Sequence, residues 1–222
     1  MHSLEIALLV FTISNNWKNP NLFAFSQCYF LSHILAYIAR NKFTIAKQIN
    51  YCDFADKRCI HGIPNIGDVI SNLAFILAGF YQYVYNDNIN LGIICILIGI
   101  GSTYFHWTPS LITLYWDRLP MIIGMAYIMN QYTEMAFQEL LLHGLLSLEY
   151  RERTNDLSLY VAYQLNMIIF LIWTNGFSLP VIFYIIAKEF EDYDKEVYIA
   201  TKQIISGHTI KHILAGIAML VA

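Results

Sequence analysis

Apolar runs, most of them 16 to 20 residues long, follow one another along this chain with only short polar interruptions. They cover 22–39, 66–85, 90–106, 114–130, 133–148, 157–173, 178–190 and 204–222, the fifth and seventh being the weakest. At about 1.5 Å per residue, roughly 20 residues cross the ~30 Å hydrocarbon core of a bilayer. Inside that core every backbone polar group needs an internal partner, so only helices and closed barrels can span it. No two-residue alternation is present, which leaves helices. Composition agrees: 57% of residues are hydrophobic and 13% charged, against about 25% charged in ordinary soluble domains. The expected fold is therefore all-α, a polytopic membrane helix bundle. Leu4 to Ile13 is too short to span and has no preceding Lys or Arg, so it reads as an interfacial segment and a poor signal peptide. The net charge of −3 says nothing about partners, and no basic, aromatic-laced patch suggests nucleic acid, so none is expected as a partner.

Charge placement gives an orientation. If eight spans alternate, the loops at 40–65, 107–113, 149–156 and 188–203 share one side of the membrane. With the adjoining helix ends they carry Arg40, Lys42, Lys47, Lys57, Arg58, Arg118, Arg151, Arg153, Lys188, Lys195 and Lys202, whereas the other side offers only Lys18. The positive-inside rule makes the basic side cytoplasmic. The acidic stretch Glu189 to Glu196 is expected to be a solvated exit from the seventh span, and Lys211 to snorkel to the headgroups.

The same alternation brings chemistry to one face. Ser102 and His106 lie one helical turn apart at the end of the third span, Asp117 begins the fourth, and His208 and His212 stack one turn apart at the start of the last. Ionised groups near a bilayer's centre cost roughly 2.5–3.5 kcal/mol on insertion scales, so a chain that keeps them there has a use for them. Three histidines with no fourth protein ligand match a catalytic zinc site with a position left for water, although imidazole also suits Fe, Ni or Cu. Asp117 then serves as general base and acid, and Ser102 as a donor to a developing oxyanion. Blander readings stand beside these. A His-x3-His pair can simply bridge helices, Ser102 can be a packing residue after Gly99 and Gly101, and Asp117 and Arg118 can be an interfacial pair. Met121, Met125 and Met129 read as packing, and His2, His33, His61 and His143 have no partner at ligand spacing.

Taken in order, Ser102-x3-His106, Asp117 eleven residues later in Asp-Arg-Leu-Pro-Met, and His208-x3-His212 in the last span resemble the alkaline ceramidase family. More broadly the chain resembles the seven-helix membrane hydrolases that also include the adiponectin and progestin receptors. The segment from Gly62 to Leu73 resembles the start of the first core helix in bacterial members. Tyr51 to Arg58, the 187–194 stretch and Ser206-Gly207-His208 extend the likeness over 50–222. The resemblance implies a seven-helix core at 50–222, preceded here by residues 1–49 with one extra N-terminal transmembrane helix. It also implies zinc on His106, His208 and His212, with Ser102 and Asp117 as catalytic residues. The implied reaction is hydrolysis of the amide bond of a ceramide-like membrane lipid, in a multi-pass protein of a bacterial inner membrane. Eukaryotic members bind calcium in an acidic N-terminal segment. Asp53 and Asp56 are the candidate Ca2+ ligands here, while Arg58 stands where a further oxygen ligand is expected.

Two other classes compete: a receptor-like or signalling protein with a structural zinc and no turnover, and a transporter. A transporter predicts inverted repeats, and none is visible. Of the four cysteines, Cys28 and Cys95 fall in apolar runs. Cys52 and Cys59 share a polar loop and can pair only if it faces an oxidising compartment.

Overall fold

The computed structural model of this protein describes residues 53–133 and 135–222. The expected span at 22–39, the segment 4–13, Cys28 and Cys52 lie outside the described residues. Within them the chain is helical, with one isolated bridge between Ile60 and Ile63 and no strand. The helices are α1 (Ile66–Ser71), α2 (Leu73–Val84), α3 (Ile89–Trp107), α4 (Leu111–Tyr132), α5 (Phe137–Thr154), α6 (Ser158–Asn175), α7 (Leu179–Asp192), α8 (Asp194–Ala200) and α9 (Gly207–Leu220). Each of the seven apolar runs from 66 onward is thus helical. Among the described residues one helix, α3, is long and apolar enough to cross a membrane.

Local chemistry sets the helix starts. Asn88 accepts the Leu91 N–H at the head of α3 (3.2 Å). Ser110 accepts that of Thr113 at α4 (3.1 Å), and Ser206 that of Thr209 at α9 (2.9 Å). Each satisfies a donor that has no partner within its own helix. The last helix begins at Gly207 rather than near Ile204, because Ser206 is extended (φ −86°, ψ 159°) and its side chain caps the helix there.

Two expectations change. The acidic exit is not simply solvated: α7 runs on to Asp192 and α8 takes up Asp194–Ala200. Glu191 is ion-paired with Lys188 and, at 2.7 Å, with Lys211 of α9. Lys211 therefore does not reach for headgroups; its side chain is 16% exposed and bound to Glu191. The 66–85 run is also two helices, broken at Asn72. There the Asn72 side chain, not its backbone N–H, donates to the Asp68 carbonyl (2.9 Å).

The described chain divides into two compact units, one of residues 53–124 and 177–222 and the other within 125–176. In the first, α9 packs on α1, α2 and α7, and α2 lies along α3. In the second, α5 packs on α6, where Tyr163 is buried and its hydroxyl donates to the Leu140 carbonyl (3.1 Å). The site belongs to the first unit. Its helices carry apolar residues on exposed faces at helical spacing: Leu73, Leu77, Phe80 and Val84 on α2, and Ile89, Ile93, Leu97, Ile100, Tyr104 and Trp107 on α3.

Candidate metal centre

His106 sits in the last turn of α3, and His208 and His212 in the first turns of α9. The i, i+4 spacing sets the two α9 rings edge to face with centroids 4.7 Å apart, and the His106 ring stands 4.8 and 4.9 Å from them. One ligand nitrogen from each lies within 4.8 Å of the other two. A tetrahedral zinc with ~2.0–2.1 Å bonds wants nitrogens roughly 3.4 Å apart, a difference of about 1.4 Å at most. The sequence had placed these rings on one face; the structure brings them to one centre.

The nitrogens themselves fit a metal. Nδ1 of His106 and Nε2 of His208 are buried without a hydrogen-bond partner, and an orphaned buried polar atom costs on the order of 1–3 kcal/mol. His106 and His212 are buried almost completely. On His212 the roles of the two nitrogens follow from the neighbours. Nδ1 lies 3.1 Å from the Asp68 carbonyl oxygen and 2.9 Å from Ser71 Oγ. A carbonyl only accepts, so Nδ1 carries the proton and Nε2 keeps its lone pair for the centre. The Asp68 carbonyl is available for this because α1 breaks at Asn72, and it also accepts from Ser71 Oγ at 3.1 Å. Such outer partners fix the orientation of a metal-binding imidazole.

Ser102, one turn before His106, is buried and places Oγ 3.5 Å from His212 Nε2. Asp117 on α4 lies near enough to feel the Ser102 hydroxyl, which favours its charged form. Two sequence features bring α4 this close. Pro120 has no N–H for the Trp116 carbonyl four residues back, and Gly101 lies against that carbonyl. A Cβ on Gly101 would stand 2.4 Å from Trp116 O and 3.4 Å from the Asp117 Cα. The backbone approach that presents Asp117 to Ser102 thus depends on a glycine. All five residues expected from the sequence meet in this unit.

Sequence reasoning missed the surroundings. Phe54 is buried against the cluster, with its ring centroid 4.6 Å from that of His106 and 5.9 Å from that of His208. It also makes an edge contact with Phe105 at 5.5 Å. Asn65 donates to the His106 carbonyl (2.8 Å) at the open end of α3. Asp194 accepts the His208 backbone N–H (2.7 Å). Ser71, Asn72 and Asp194 had no periodic signal to announce them. Cys59 carries an exposed free thiol, and Cys95 is buried. No protein-family model, curated protein or solved structure matches this chain.

Proposed function

We propose that this protein is a zinc-dependent membrane hydrolase that cleaves the amide bond of a ceramide-like lipid. The observation that carries the proposal is the cluster of three imidazoles from two helices, two buried and one half-buried, with a serine hydroxyl and a carboxylate beside it. Three nitrogens, with no fourth protein ligand among the described residues, leave a coordination position for a reactant, which a purely structural tetrahedral site does not. Zinc, when bound, supplies a Lewis acid that lowers the pKa of water and polarises the acyl carbonyl. His106, His208 and His212 hold it. Asp117 takes the proton from the attacking water and returns it to the amine nitrogen as the carbon–nitrogen bond breaks. Ser102 donates a hydrogen bond to the acyl oxygen as it gains negative charge. The products are a fatty acid and the free base.

A multi-pass arrangement is part of the same proposal. The exposed apolar stripes on α2 and α3 form faces that water would disfavour and lipid would not. The C-terminal end of α3 and the N-terminal end of α9 meet at His106 and His208. The site therefore lies beside the loops at 53–65 and 201–206, the side expected to be cytoplasmic.

The test measures zinc content and hydrolysis of a fluorescent ceramide panel by wild type, His212→Ala and Asp117→Asn. His212→Ala should lose metal and activity together. Asp117→Asn should keep zinc and lose turnover by a factor on the order of 10² or more. Normal hydrolysis by both variants would refute the roles, and stoichiometric zinc with no turnover on any lipid would favour the receptor-like alternative.

A further inference from the structure

The loop ahead of α1 is tied down through Asp53, Ala55, Asp56 and Arg58. Asp56, with no exposed surface, accepts at Oδ1 from Arg58 Nε (2.8 Å) and from the Arg58 backbone N–H (3.0 Å). Its Oδ2 accepts from Arg58 Nη2 (2.7 Å) and the Gly67 N–H (2.9 Å). The same Nη2 donates to the Ile204 carbonyl just before α9 (2.9 Å). Asp53 accepts from Lys57 on one oxygen and Lys195 on the other, each at 2.7 Å. Burial opposes ionisation of Asp56, but the Arg58 and Gly67 donors still hold its carboxyl below the ordinary range.

A calcium ion needs six to eight oxygen ligands. Every carboxylate oxygen of Asp53 and Asp56 is instead engaged by a nitrogen donor, and Arg58 lies among the oxygens of Asp56 and Ile204 where a hard cation would have to go. Among the described residues, the Asp53 and Asp56 carboxylates are therefore not free to hold calcium.

What these cations hold in place bears on the metal centre. Phe54, between Asp53 and Ala55, is seated on the His106 and His208 rings. The Ala55 N–H donates to Asp194 Oδ2 (3.0 Å), and the other oxygen of that carboxylate accepts the His208 N–H (2.7 Å). Gly207 permits the approach, since a Cβ there would stand 2.1 Å from Phe190 O and 2.7 Å from the Asp194 Cα. One carboxylate thus joins the loop to the backbone of a candidate ligand.

We propose that Asp194 is a positioning residue for His208. In this proposal residues 53–58 form a strap over the metal centre, closed by Arg58 and Lys195 in the role a calcium ion would otherwise fill. Metal retention is then set by the chain's own cations and is independent of calcium. This rests on the three histidines being metal ligands.

The experiment uses the full chain in detergent and follows zinc release to a chelating dye, together with the visible spectrum of the cobalt(II)-substituted protein. Wild type should release zinc at the same rate with EGTA or with millimolar calcium. In Asp194→Asn an amide N–H would face either Ala55 N–H or His208 N–H, so one bond is lost. Release should quicken about 10-fold or more, the usual effect of removing an outer partner of a ligand. The cobalt band of the folded protein should shift as well, which general destabilisation would not cause. Arg58→Gln should quicken release similarly, Arg58→Lys less, and the exposed Lys57→Gln hardly at all. Calcium-dependent retention in wild type would overturn the proposal without recourse to any variant. So would wild-type release rates and cobalt spectra in both Asp194→Asn and Arg58→Gln. A wild-type chain that takes up no zinc or cobalt would instead overturn the metal centre itself.

Discussion

Gly101→Ala is a substitution of one methyl group that should separate metal binding from turnover. The added Cβ would lie 2.4 Å from the Trp116 carbonyl oxygen and 3.2 Å from its carbon. Carbon–oxygen contacts relax at roughly 3.3–3.6 Å, so α4 must retreat by about 1 Å. Both contacting atoms are backbone, and no side-chain rotation can absorb the shift. Asp117, the next residue, moves with it and away from Ser102. A retreat of about 1 Å takes the carboxylate out of hydrogen-bond reach of that hydroxyl, and misplacing a reacting group by that distance can cost about 10²-fold in rate. The histidines sit on α3 and α9, so zinc should stay. Expected are near-stoichiometric zinc, a roughly 10²-fold fall in turnover on the best lipid substrate, and an overpacking cost of about 1–3 kcal/mol in thermal stability. Gly124→Ala, on α4 itself, is the control. Its Cβ would meet only side-chain methyl groups, Ile94 Cγ2 at 3.1 Å and the ends of Ile98 and Met219 at 3.4 and 3.7 Å, and alanine favours the helix by up to about 1 kcal/mol. Full turnover by Gly101→Ala, or loss of its zinc, would refute the link from glycine through α4 to Asp117.

Two further outcomes follow from the surroundings of the site. Ser71→Ala removes one of the two groups that hold His212 Nδ1. It should weaken zinc about 10-fold in a competition titration, and an unchanged affinity would mean the Asp68 carbonyl suffices. Hydrogen bonds from Lys195 and then Lys57 hold the Asp53 carboxyl at about 2. Because that value is depressed, these contacts favour the closed strap above about pH 4 and are lost as pH falls toward 2. Carbon-13 NMR should put the Asp53 midpoint near 2 in wild type and move it toward the ordinary 3.8 in Lys195→Gln; the same midpoint in both would contradict the pairing.

What the sequence disclosed of the site, and what it hid, divides along one physical line. Ser102 with His106 and His208 with His212 are local, set by the helical repeat, and the alternation of apolar runs was enough to put them and Asp117 at one end of the bundle. The helix at each run was legible for the same reason. Hidden were contacts between segments far apart in the chain. Asp194 reaches His208 and Ala55, Phe54 lies on the rings of two helices, and Lys211 finds Glu191 rather than the lipid surface. The break at Asn72 was equally silent, because Asn72 and Ser71 interrupt no apolar pattern while their side chains engage the Asp68 carbonyl.

The central claim is that His106, His208 and His212 share one metal ion. X-ray absorption at the zinc edge of the purified, zinc-loaded chain tests it most directly. Three imidazole nitrogens and one further light atom at about 2.0–2.1 Å are expected, with one imidazole lost in each single His→Ala variant that still holds metal. A spectrum showing sulfur ligands, or one unchanged when any of these histidines is replaced, would contradict the account.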